Sequence, residues 1–592
     1  MWQRASRTAI AASLLLASVA NALPHEDDHS MNMDMDMDMN NTYEQPESPS
    51  KASDDSPMSY FAYGKHSSTV MAHIGLMVLA WCFVLPVAVM FSVARSRFAL
   101  PSQFLFVVFN ALGLLLGIIY NSQTPDLYEN NAHHKIGWIA TGVISVQVIM
   151  SLIFAYAGRG ESDAASSYER AEFLPVSTDE MAETPTHPTG IHHEYRWSRD
   201  SGQGTSLHSR PSSSSCASPS EEYDTFVKPE RQFPEQPPRS RSWLRSTFVD
   251  RFLASRVPRM VSNRALRILN IIYLVIDRII LPFGFIAIAT GAVTYGGIMR
   301  GREIFNGLAH FIKGGIFFWY GLLTLGRFMG CWADLGWAWN VKPSSEIVGK
   351  WKAKVPTGEF TESFVIFLYG ASNMFLEHLT GWGGKWTATD LEHVSISIMF
   401  FGGGLCGMLF ESRRVKHWLN TTVLQYPSNL RRNGSSDVAW QPPDTQGVSL
   451  NPMPALVILL LGSMMGSHHQ ASMISTMVHK QWGNLLVGFS FARCMTYVIM
   501  YLKPPTSYLP ARPPTEIVSA FCLISGGLIF MLSTRNVVDT LEYYDLDPMF
   551  AFTVGMGLTA FIMACEILAI AIKAWAVKKE SRPQFRPFQF PA

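Results

Sequence analysis

Runs of apolar residues about as long as a bilayer is thick constrain this chain more than any other feature. About eleven of them follow one another, near residues 71–93, 102–120, 136–157, 277–298, 309–329, 362–379, 393–411, 453–468, 482–502, 515–533 and 548–575. A helix needs roughly 20 such residues to cross the hydrocarbon core. The pattern predicts an all-α fold, a polytopic transmembrane helical bundle embedded in lipid. Charge content agrees: 16% of the 592 residues are charged, where a soluble domain carries about 25%. A net charge of +1 gives no footprint for nucleic acid, and 7 scattered Cys without a CxxC indicate neither a disulfide framework nor a structural zinc site. No Walker loop, nucleophile elbow or dinucleotide fingerprint is present.

Residues 1–22 have the make-up of a signal peptide: Arg4 and Arg7, a short apolar core, then Ala20-Asn21-Ala22. Its removal places the new N-terminus outside, on the lumenal or extracellular side. Residues 23–69 then form a Met/Asp/His-rich tail in which Met33, Met35 and Met37 belong to a strict alternation with Asp or Asn, just after His25 and His29. Thioethers suit Cu(I), and imidazole with carboxylate suits Cu(II). The tail resembles the Met-rich tails of copper importers; the plainer reading is an acidic disordered segment.

Basic residues fix the expected orientation. Arg95 and Arg97, the arginines from Arg251 to Arg267, Lys350 to Lys354, Arg413, Arg414 and Lys416, and Lys578 onward all fall in connections that an outside start makes cytosolic. The C-terminus is then cytosolic, and the sequons at Asn420 and Asn433 should stay unglycosylated. The expected segments are a three-span module over 70–157 and a Ser/Pro-rich disordered cytosolic loop over 158–262. Spans four and five, over 263–330, should pack with the first three. A cytosolic connection over 331–361, a six-span module over 362–577 and a cytosolic tail over 578–592 complete the chain. The signal peptide points to a multi-pass protein of the secretory pathway, with endoplasmic reticulum, vacuole and plasma membrane not distinguished.

Histidine is the unusual residue. Of 17 in the chain, His73, His133, His134, His310, His378, His393, His468, His469 and His479 all fall at outer ends of spans. One expected cluster joins His73 to His133 or His134, with His310 nearby. The other draws on Glu377, His378, Asp390, Glu392, His393, His468, His469 and His479. Imidazole beside carboxylate suits Zn, Fe or Cu(II). The alternative is a set of hydrogen-bonded helix caps. Arg493 and Glu566 lie inside spans, where isolated charges are costly; they are expected to pair with each other or to line a polar path. Asp277 and Arg278, nearer the inner face, can snorkel. The glycines at 402–404 and in GSMMGS at 462–467 predict close helix packing.

HIGLMVLAWCFVLPVAVMFSVARSR resembles the first core helix of cytochrome b561-type proteins, and NAHHKIGWIATGVISVQ resembles their third. In that family four core helices hold two b haems through two His pairs. His73 with His133, four residues before Gly137, matches one pair. The second pair does not carry over, because spans two and four contain no His. The resemblance therefore implies one haem b near the outer side. Taken whole, the chain resembles the fungal Ytp-type multi-pass proteins, through MFLEHLTGWGGKWTATDLEHVSISIMFFGGG, GSMMGSHHQASMISTMVHKQWGNLLVGFSFARC and STRNVVDTLEYYDLD. That likeness implies architecture more than activity.

Three functions fit these readings. One is a b-type electron carrier at the outer face, with His73 and His133 as axial ligands and copper or iron as acceptor. The second is a metal-ion or proton transporter or sensor that loads through the outer His/Glu ring. The third is a structural membrane protein without redox activity. No nucleic acid or protein partner is implied.

Overall fold

The structure is a computed structural model that describes residues 59–157, 263–301, 303–376, 385–386, 388–424, 443, 447–467, 470 and 472–580. The signal peptide, the Met/Asp tail, the loop over 158–262 and the last residues of the C-terminal tail lie outside these. The described residues all belong to one compact unit, Pro57–Ala592, and contain no strand.

Helices stand at all eleven predicted positions. They are α1 (Ser67–Val93), α2 (Ala99–Gln123), α3 (Ala132–Ala157), α4 (Asn263–Gly296), α5 (Glu303–Met329), α6 (Gly358–Leu376), α7 (Ala388–Glu411), α8 (Met453–Ser467), α9 (Met473–Leu502), α10 (Thr515–Leu532) and α11 (Pro548–Glu580). Nine of the described helices are long and apolar enough to cross a membrane; α8 is shorter. α6 carries Glu359 and Glu362 at its start, which lowers its apolar character.

α1 is not a regular helix. Its middle, Leu79–Val84, winds as a π-helix just before Pro86, whose missing N–H cannot continue the ladder. The wider turn swings Trp81 inward, where Nε1 donates to Asn110 Oδ1 at 2.9 Å and the ring edges against Phe106. α1, α2, α3 and α4 form one bundle around Trp81, Leu85, Phe106, Ile144 and Ile280.

The second bundle is built on glycine. A Cβ at Gly314 of α5 would lie 2.6 Å from the carbonyl oxygen of Gly527 in α10, and one at Gly527 would lie 2.5 Å from that of Gly314. Gly462 of α8 and Gly483 of α9 approach in the same way, and Gly404 of α7 meets the backbone of Phe367 in α6. Such contacts let backbones pack closely where lipid offers no hydrophobic drive between helices. Of the glycines at 402–404 and in 462–467, Gly403, Gly404 and Gly462 serve the packing expected of them, while a Cβ at Gly402 or Gly466 would meet nothing within 4 Å. Span five departs from expectation. Phe285 of α4 stacks on its Phe318, yet the glycine face of α5 is spent on α10.

Contacts fix relative direction. α2 runs antiparallel to α1 (Gly117 beside His73, Gly113 beside Met77), and α4 antiparallel to α3. α5 and α9 both run antiparallel to α10, while α11 runs alongside α1 through Phe83–Phe561 and Phe98–Trp575. The odd-numbered helices therefore begin at one end of the bundle, here the imidazole end. Arg95, Arg97, Lys578 and Lys579 mark the other, basic end, where Glu580 bonds Ser96 at 3.0 Å. Asp277 does not snorkel. It is buried, and Gln147 Nε2 donates to it at 3.0 Å.

Replacing Gly314 or Gly527 by Leu is expected to destabilise the detergent-solubilised protein by roughly 1–3 kcal/mol or more, through overpacking against backbone. Gly402→Leu, where a side chain meets nothing within 4 Å, should change the thermal midpoint little. Tryptophan fluorescence melts of the three variants check this.

Candidate functional site: imidazole pairs and a buried charge lattice

His73 and His133 are 60 residues apart in sequence but face each other, ring centroids 6.4 Å apart and planes at 76°. Each ring is anchored by a helix that contributes no histidine. His73 Nδ1 is 2.7 Å from the Gly113 carbonyl of α2, and His133 Nδ1 is 3.1 Å from the Ala287 carbonyl of α4. A carbonyl only accepts, so each Nδ1 carries the hydrogen, and in the neutral ring Nε2 is left as the ligating nitrogen. Glycines make the seats. A Cβ at Gly117 would lie 3.0 Å from His73 Cε1, and one at Gly291 would lie 3.0 Å from His133 Cε1. Deeper in the bundle, Asn110 accepts from Trp81 and donates to Thr141 Oγ1 at 3.2 Å.

His134 is exposed and stands apart from this pair. Its backbone N–H donates to Asn131 Oδ1 at the start of α3.

His310 does not join them. It faces His479 of α9, centroids 6.1 Å apart and planes perpendicular. Their Nδ1 atoms are each 2.8 Å from a carbonyl one turn back, of Asn306 and Ser475. The floor of this pair is aromatic: Trp482 stacks on Phe530 at 4.2 Å, and Phe530 edges against His310. The expected grouping of His310 with His73 is therefore corrected; the glycine face of α5 draws His310 into the second bundle.

Among the described residues, no three His, Cys, Asp or Glu side chains converge as a metal site. Glu392, His393 and Asp390 stand at the start of α7. Glu377, His378, His468, His469, Met33, Met35 and Met37 lie outside the described residues.

The basic half holds what the sequence reading missed. Arg327 of α5 donates to Glu359 at 2.7 Å and to Glu362, both of α6, and its Nε donates to the Trp337 carbonyl at 2.7 Å. Arg493 of α9 bridges Glu362 at 3.3 Å and lies 2.9 Å from Glu516 of α10, an ion pair without an aligned hydrogen bond. Both arginines are 1% exposed and Glu516 is 0% exposed. The Trp339 ring faces both guanidinium groups, at 4.3 and 5.5 Å. Two cations against three carboxylates leave one formal negative charge. Glu359 and Glu516 stand in first helical turns, where each helix dipole supplies roughly half a positive charge. The lattice is thereby close to neutral.

Arg493 and Glu566 do not pair, because Arg493 is taken by this lattice. Glu566 instead faces Gly326 of α5, where a Cβ would lie 3.6 Å from its Oε1.

Comparison with known proteins adds the following. The family described as "Protein YTP1-like, C-terminal" matches residues 283–574, and a domain of unknown function matches residues 54–157. An "Uncharacterized membrane protein" of Schizosaccharomyces pombe is 33% identical over 522 residues, spanning 87% of this chain and 96% of the relative. A second protein so described, from Saccharomyces cerevisiae, is 30% identical over 554 residues, spanning 86% and 83%. Protein YTP1 of the same yeast is 23% identical over 281 residues, spanning 47% and 49%. No solved structure matches.

Arg327→Met strands Glu359 and leaves Glu362 only its looser bridge. Breaking a buried pair from one side should cost about 3–5 kcal/mol. Adding Glu359→Gln and Glu362→Gln should restore much of that, since Arg493 then keeps Glu516 alone. Denaturant titrations in mixed micelles compare the two.

Proposed function

The chain belongs to the family of fungal Ytp1-like integral membrane proteins, and from that premise we propose that it is a one-haem b-type electron carrier of a secretory-pathway membrane, acting at the imidazole end of its first bundle. One observation carries the proposal: His73 and His133 meet across that bundle with both Nδ1 atoms committed to backbone carbonyls. Two metal–nitrogen bonds of about 2 Å, with the half-widths of two imidazoles, come to about 6 Å. The 6.4 Å between ring centroids fits one iron held between them. The seats at Gly117 and Gly291, which a side chain would fill, fit the same role. His73 and His133 would hold the iron through Nε2.

The group would supply one-electron chemistry. Two imidazole ligands leave no open position for oxygen. The protein's own part is orientation. The Gly113 and Ala287 carbonyls fix ring tautomer and rotation, as outer partners of ligating histidines do. The acceptor is a metal ion, copper or iron, and the Met33, Met35 and Met37 tract is suited to gathering it as Cu(I).

A second reading rests on His310 and His479. Their pairing favours metal-ion binding at the second bundle, with Glu392 and His393 as further candidates. Metal content that falls on replacing His310 and His479 by Ala, with no b-type spectrum, would select it.

For the first reading, a reduced-minus-oxidised spectrum of purified protein from haem-replete cells should show a b-type band. His73→Ala and His133→Ala should each abolish it, while His134→Ala and His310→Ala should leave it. A preparation with no such band, in protein that is folded and monodisperse, sinks the haem proposal.

A further inference from the structure

α11 is an apolar helix of 33 residues, and Glu566 is the one carboxylate within its membrane-crossing stretch. Its Oε2 is buried and has no hydrogen-bond partner. The described residues offer it no salt bridge. Arg327, next to Gly326 against which Glu566 packs, directs its guanidinium into Glu359, Glu362 and the Trp337 carbonyl. Among the described residues, the other elements packed here place no unpaired cation against it. α1 brings Cys82, near Cys565 of α11, and the carboxylate of α10, Glu516, is held by Arg493. The turn after α5 brings Cys331. Lys573 lies two turns further along α11, about 10 Å by helical rise.

An ionised carboxylate in that position would cost several kcal/mol with nothing opposite it, and the ordinary resolution is to take up a proton. The contrast with Glu359, Glu362 and Glu516 is informative: those three have guanidinium partners and helix N-termini, whereas Glu566 has neither. We propose that Glu566 is a proton-binding site in the membrane interior, occupied at neutral pH and lying in the seam between α5 and α11. Cys331, in the turn after α5, stands near both Glu566 and Lys573. The site is independent of the imidazole pairs and lies toward the opposite end of the bundle. It gives the chain a proton-handling group whatever is bound between His73 and His133.

Dicyclohexylcarbodiimide tests the assignment on the full-length protein in lipid nanodiscs. A protonated acid in apolar surroundings adds to it: the carboxyl proton moves to a carbodiimide nitrogen and the carboxyl oxygen bonds the central carbon. Rearrangement to an N-acylurea then loses no atoms. Peptide mass spectrometry should find the adduct on Glu566 at neutral pH in preference to Glu362 and Glu516. Labelling should fade as pH is raised, and Glu566→Gln should abolish it. The same variant should lose an infrared carbonyl band of a protonated acid and keep the wild-type thermal midpoint. An unlabelled Glu566, or a carbonyl region unchanged in Glu566→Gln, overturns the proposal. So does a marked loss of stability in Glu566→Gln, because it would reveal an ionised carboxylate with a partner.

Discussion

Two arginines buried inside a membrane bundle are tolerable only if every charge they carry is answered, and that demand organises the second bundle. Arg327 and Arg493 draw α5, α6, α9 and α10 together at one level. Glu362 is the shared member, touching both guanidinium groups. The helix starts at Glu359 and Glu516 supply the remaining positive potential. Because each carboxylate has a fixed helix of origin, the lattice also sets register: sliding α10 by a single turn would strand Glu516 and leave Arg493 only its bridge to Glu362. Apolar packing in lipid gives little directional preference, so this polar knot selects one arrangement of helices that glycine contacts alone would leave degenerate.

The two ends of the molecule follow different logic. At the imidazole end the paired polar groups are imidazole rings held by main-chain carbonyls. Toward the basic end they are full charges held by each other. A neutral imidazole with one nitrogen committed to a carbonyl is a ligand in waiting; a closed ion-pair lattice is not. This difference separates a binding role for His73 and His133 from an architectural role for Arg327 and Arg493, although both sets are buried polar groups within spans. Glu566 fits neither class, since among the described residues its buried Oε2 has no hydrogen-bond partner and it stands far from a helix N-terminus.

Hydropathy made the helices legible, because span length is a local property of the chain. The shared end of the odd-numbered helices was legible too, since alternation of passes places their starts together. The pairing of His73 with a histidine at the start of α3 followed from the same reasoning. What the sequence hid was every relation that depends on a partner far along the chain. Nothing local marks Gly113, Gly117 and Gly291 as seats for rings on other helices. Glu359, Glu362 and Glu516 carry no local pattern that sets them apart from any acid at a helix start. Arg493 was noticed as an isolated charge, expected to pair with Glu566 or to line a polar path; the first expectation named the wrong glutamate, because depth along a span does not say which neighbour the side chain faces. His310 went to the wrong cluster for the same reason.

The absence of histidine from α2 and α4 has a physical consequence for an electron carrier built on this bundle. Where a second ligand pair would stand further along, Trp81, Leu85, Val89, Phe106 and Ile280 fill the core. Asn110, Trp81 and Thr141 close the space between by hydrogen bonds. If iron is held between His73 and His133, it is the single centre of the described bundle, and electrons enter and leave from the same end. Donor and acceptor would then use one face in turn rather than two faces at once. A carrier of that kind moves charge between two partners in one compartment instead of across the membrane. On the expected topology the Met-rich tail belongs to that compartment.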